Sequence, residues 1–148
     1  MDIGELRAAL SKHLSSQSYQ TLAKAGDLDL ALVIGGERWG FALCSDREEG
    51  MAYLGSFEAA MQRLLDARRA QPDLKLGLGI AFASTAAGQH PSYRRTLKKY
   101  SNSIVFEDLG ISLFLIKSED DILVLAPGEV NSFLRDLDIW IAKRAAQI

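Results

Sequence analysis

Residues 27–46 read DLDLALVIGGERWGFALCSD, and the fold turns on how this stretch is read. Leu28 to Ile34 is rich in branched side chains, Gly35-Gly36 supplies the positive φ angles of a tight turn, and Trp39 to Cys44 is apolar again. The pattern predicts an antiparallel hairpin, with one carboxylate, Asp29, where its first strand begins.

Upstream, Ile3, Leu6, Leu10 and Leu14 recur at helical spacing, and Asp2 followed by Glu5 matches a capping box, so a helix is expected over Asp2 to Ser16. SSQSYQTLAKAGD, residues 15–27, is polar and leads into the first strand, with room for a helical turn over Tyr19 to Ala25. Downstream, Ser56 is placed to cap a helix that carries Phe57, Met61, Leu64 and Leu65 on one face and ends before Pro72. LKLGLGIAFAS, residues 74–84, is almost continuously apolar, the pattern of a strand covered on both faces and therefore central.

HPSYRRTLKKY, residues 90–100, reads as a helix with Pro91 in its first turn. Residues 103–127, SIVFEDLGISLFLIKSEDDILVLAP, predict two or three short strands broken at Asp108-Leu109-Gly110 and at Glu119-Asp120-Asp121. The last helix aligns Val130, Phe133, Leu134, Leu137, Trp140 and Ile141 in one wide apolar stripe. Helix, hairpin, helix, strand, helix, strands, helix is the order of a single α/β (α+β) domain. A central mixed sheet with an N-terminal hairpin (about 28–44) would be flanked by helices and closed by a C-terminal amphipathic helix.

Composition agrees with one ordinary globular domain: 148 residues, 48% hydrophobic and 24% charged, a length that buries roughly two-thirds of the unfolded surface. A net charge of -2 provides no global field for nucleic acid or an anionic membrane, so any such binding must be local. One cysteine, Cys44, excludes an intrachain disulfide, and with only His13 and His90 beside it there is no Cys/His cluster for structural zinc. MDIGELRAALSK lacks the basic and apolar regions of a signal peptide. Runs such as LALVI and LGLGIAFA are strand-sized, below the roughly 18 to 20 residues that span a bilayer. A soluble protein of the reducing cytoplasm is expected, with no membrane partner.

Three features now combine: LDLALVIGGERWGFAL, where an Asp opens a hairpin; the central strand LGLGIAFAS after the next helix; and LGISLFLIKSEDDILVLAP, a strand and hairpin near the end. In this order they resemble the PD-(D/E)XK, or restriction-endonuclease-like, nuclease superfamily over roughly Leu28 to Pro127. The resemblance implies a site in which an Asp at a strand start and an acidic-x-Lys triplet on the next strand hold a divalent metal that activates water for phosphodiester cleavage. Asp29 matches the Asp, with Leu28 where proline usually stands. The second half is absent, because Ala42 takes the acidic position and Cys44 that of the lysine. Strand alternation puts both on one face, and neither offers the hard oxygen that Mg²⁺ requires.

Two readings of Asp29 follow. Ligands relocated from Glu37, Glu58 or Gln62 would complete a Mg²⁺ site and a metal-dependent nuclease; otherwise Asp29 is a strand-entry residue bonded to backbone amides, no cofactor is needed, and the chain is a non-catalytic binding or regulatory module. A third reading takes the same elements as a small α+β protein-interaction or dimerisation module, chaperone-like or Roadblock-like, with Ile139 beside Trp140 widening an apolar face on the last helix.

For nucleic acid, the candidate surface is His90, Tyr93, Arg94, Arg95, Lys98 and Lys99, with Tyr100 as a second ring. Four charges neutralise few phosphates, and Arg95 and Lys99 lie about 100° around the helix from Arg94 and Lys98. Cys44 reads as a buried thiol, since no base is paired with it. Gly77-Leu78-Gly79 lies within a strand and Phe82 occupies the third position of G-x-G-x-x-G, so no dinucleotide loop is read there.

Overall fold

Gly35 and Gly36 adopt φ of 57° and 83°, the left-handed pair that closes a two-residue hairpin, and Ile34 faces Glu37 across the turn. The hairpin is the core of a computed structural model describing residues 1–14, 19–21, 28–82 and 90–145. Its elements are α1 (Ile3–Leu14), β1 (Tyr19–Thr21), β2 (Leu30–Ile34), β3 (Glu37–Cys44), α2 (Gly50–Ala70), β4 (Lys75–Ala81), α3 (Arg94–Lys99), α4 (Val105–Leu109), β5 (Ile111–Ser118) and β6 (Asp121–Leu125). A 3-10 turn (Pro127–Glu129) then leads into α5 (Val130–Arg135) and α6 (Leu137–Ala145).

The strands form one mixed sheet in the order β1-β2-β3-β4-β5-β6. β3, β4 and β5 run parallel, and the outer pairs are antiparallel. The chain is thus a single α+β domain. α1 lies on one face, where Leu6, Leu10 and Leu14 meet Leu32, Phe41, Leu43, Phe114 and Ile116. The other helices share the opposite face, where Phe57, Leu64, Leu97, Phe106 and Leu134 meet Leu76, Leu78, Ile80, Leu113 and Leu115.

The glycines of LGLGIA follow from this sandwich. On β4, Leu76, Leu78 and Ile80 fill the many-helix face, and Gly77, Gly79 and Ala81 point at α1. A Cβ on Gly77 would stand 2.5 Å from the Phe41 ring, and one on Gly79 2.7 Å from Leu43 Cδ2. The space goes to aromatic rings: Phe41 stacks on Trp39 at 5.8 Å and meets Phe114 edge-on at 5.1 Å. Burying such a ring contributes on the order of 2 to 3 kcal/mol.

The central strand, the hairpin and the first helix match their sequence patterns, and Asp2 Oδ1 accepts the Glu5 amide at 2.8 Å as a cap should. Elsewhere the boundaries move for identifiable reasons. Tyr19 to Thr21 is extended rather than helical, because β2 leaves a free edge on which Tyr19 pairs with Ile34; residues 22–27 lie outside the described residues. Ser56 is no cap. α2 begins at Gly50, since Tyr53 extends the apolar stripe one turn before Phe57, and the Ser56 hydroxyl donates to Glu48 at 3.1 Å.

Residues 103–110 give a short helix where a strand was expected. Asp108 N–H bonds back to Ile104 O at 2.8 Å, Phe106 is buried, and Gly110 at φ 66° ends the turn. Pro91 precedes α3, its carbonyl accepting Arg94 N–H at 3.1 Å. The terminal stripe breaks at Asp136, whose N–H bonds to both Ser132 and Phe133, so Leu137 stays buried while Trp140 and Ile139 are 36% and 56% exposed. No helix among the described residues is long and apolar enough to cross a membrane.

Candidate functional site

Asp29 enters the sheet by donating its own N–H to Phe41 O at 3.0 Å, and Arg7 Nε of α1 bonds its carbonyl at 2.8 Å. With its backbone fixed from both sides, the side chain turns along β3. Oδ2 accepts the Leu43 N–H at 2.7 Å and lies 3.2 Å from Arg63 Nη1 of α2, with the carboxyl 14% exposed. Hydrogen bonds to a charged acceptor contribute about 1.5 to 3 kcal/mol, and low exposure spares this one most solvent screening.

Alternation along β3 explains the geometry. Phe41 and Leu43 pack toward α1, whereas Ala42 and Cys44 face α2, the side from which Arg63 reaches Asp29. The face that would carry the acidic residue and lysine of a nuclease therefore holds a methyl group, a thiol and a guanidinium. Burial pushes the Cys44 thiol up to about 12. The Tyr53 hydroxyl, also raised well above its ordinary value by burial and then by Cys44, faces that thiol without reaching hydrogen-bond geometry. Both groups keep their protons at neutral pH, so neither supplies a nucleophile or a base.

A Mg²⁺ ion needs several oxygens converging at once, and the residues at Asp29 do not fit one: a single carboxylate meets a cation and an amide. Among the described residues no three His, Cys, Asp or Glu side chains are grouped to hold a metal ion. The relocated-ligand candidates do not gather at Asp29 as a metal-binding cluster. Glu37, at the far end of β3, pairs with Lys75; Glu58 is exposed near Tyr100 and adds to the rise in that phenol's pKa, behind burial; Gln62 Nε2 donates to Asp66 at 2.9 Å.

The basic candidates are also divided. Arg94 Nε lies 2.9 Å from Asp138 Oδ1 of α6 and Lys98 holds the other oxygen; the two hydrogen bonds, that from Lys98 first, keep the Asp138 carboxyl below its ordinary value. Tyr93 is 3% exposed with its ring 4.8 Å from Phe82, and Tyr100 packs 4.9 Å from Phe57. The rings turn inward, away from any base. His90, Arg94 and Arg95 do line one shallow cavity of about 250 Å³ beside Glu49 and Gly50, while Lys99 is exposed outside it.

Arg63 is the residue that sequence reasoning missed. Its only signal was a charged position beside the apolar stripe of α2, and the docking angle of that helix decides what it meets. No protein-family model, curated protein or solved structure matches the chain. The site is therefore read from its own geometry.

Proposed function

We propose that the chain is a non-catalytic module with a restriction-endonuclease-like element order, acting by binding or regulation rather than by phosphodiester cleavage. One observation carries this reading: the Asp29 oxygen that would ligate a metal is shared by the Leu43 amide and the Arg63 guanidinium. A fixed cation beside the carboxylate competes with a divalent ion electrostatically, and Ala42 and Cys44 add no oxygen to favour the ion. A protein partner or a second copy suits the module better than nucleic acid, because Asp138 neutralises part of the basic helix. A reducing cytoplasm fits a lone buried thiol.

The test is a cleavage assay of labelled single- and double-stranded DNA and RNA with Mg²⁺ or Mn²⁺. Wild type and Asp29→Ala are expected to leave all four substrates equally intact. Metal-dependent cleavage by the wild type that disappears in Asp29→Ala would overturn the proposal.

A further inference from the structure

A second cavity, about 280 Å³, lies at the other end of the parallel strands, where Trp39 of β3 is paired with Lys75 of β4 and Ser112 follows the first residue of β5. The last turns of α2 bring Arg68 to its wall. Among the described residues Arg68 Nε is buried with no hydrogen-bond partner, and the guanidinium makes no ion pair. Gly110, held at φ 66° where it ends α4, would place a Cβ 3.9 Å from Arg68 Nη2, so the guanidinium ends beside a residue without a side chain.

A guanidinium cannot shed its charge in a protein, and a buried donor without an acceptor is costly. An oxyanion relieves both, because its oxygens accept parallel N–H bonds from the arginine fork. The remaining wall groups set limits. Lys75 adds positive potential, although Glu37 holds its ammonium and it lies 5.7 Å over the Trp39 ring. Trp39 has Phe41 stacked on its ring as well, so it is a wall rather than a stacking platform. Exposed Asp73 at the rim opposes highly charged anions and would accept a bond from a ligand hydroxyl.

We propose that this cavity binds a small metabolite through a phosphate or carboxylate group seated on Arg68. This goes beyond the reading of Asp29 and does not depend on it. The volume limits the ligand to a few heavy atoms beyond the anionic group.

The chain has two tryptophans, so Trp140→Phe leaves Trp39 as a fluorescent reporter on the cavity wall. The variant is titrated with sodium phosphate and, separately, with sodium malonate, at ionic strength held constant with sodium chloride. Saturable change with at least one anion is expected; a response to phosphate alone assigns a phosphate group, and a response to malonate alone a carboxylate. Adding Arg68→Gln is expected to raise the midpoint at least about 10-fold. Arg68→Lys, which keeps the charge and the helix but not the fork, is expected to weaken binding as well and serves if the glutamine variant does not fold. No response beyond chloride with either anion, or a response unchanged by both Arg68 variants, overturns the proposal.

Discussion

The two ends of the parallel strands carry the same kinds of groups in opposite states. At the Cys44 end Asp29 has an amide and a guanidinium on one oxygen; at the Trp39 end Arg68 lines a cavity, and its Nε has no hydrogen-bond partner among the described residues. The end that resembles a catalytic motif is electrostatically complete, and the end without a motif is not. A carboxylate in a suggestive position is weaker evidence of a ligand than a buried polar group left without a bond.

The comparison can be broken from either side. The largest effect is expected from Gly77→Ala, which drives a methyl group into the Phe41 ring that supports Trp39. Overpacking should lower unfolding free energy by about 3 kcal/mol in urea titrations, and an unchanged midpoint would refute the packing of the open end. At the closed end Asp29→Ala removes the acceptor from both Leu43 N–H and Arg63, for a loss of about 2 kcal/mol. Asp29→Asn, which keeps an acceptor for the amide, should lose roughly half as much.

Cys44 gives the closed end a pH signature. Its folded pKa, about 12, lies above the ordinary 9.0, so above pH 9 the unfolded chain gives up a proton that the folded chain retains. Stability from this group is full below pH 9 and falls by about 1.4 kcal/mol per pH unit as pH rises toward 12. Urea midpoints measured at pH 8, 9 and 10 should decline accordingly, and Cys44→Ala should flatten the slope. The smallest effect is at the open end. Arg68→Gln in ligand-free protein should leave stability within about 0.5 kcal/mol of wild type or raise it, because no ion pair is lost. A loss above about 1 kcal/mol would mean that Arg68 is already bonded.

The hairpin, the central strand and the two-faced burial were legible because each rests on a local pattern: paired glycines, a continuous apolar run, helical spacing at Leu6, Leu10 and Leu14. The helix at Val105–Leu109 was not, since Ile104-Val105-Phe106 is a short branched and aromatic run that reads as a strand and only Gly110 marks the helix end. The early start of α2 was hidden because Ser56 imitates a cap while Tyr53 extends the stripe past it. The absence of an acidic-x-Lys pair could be read from Ala42 and Cys44 directly. The partner of Asp29 could not, because Arg63 reaches it only through the docking of α2 on β3, 34 residues along the chain. Arg68 and Gly110 meet for the same reason, from a helix and a loop far apart in sequence.

Asp29 and Arg63 act as a pair, and a double-mutant cycle measures their coupling. Urea unfolding of wild type, Asp29→Asn, Arg63→Gln and the double variant at pH 7 should give a coupling of about 1 to 2 kcal/mol. A coupling below about 0.3 kcal/mol would mean that the carboxylate is not committed to Arg63 and would reopen Asp29 as a ligand.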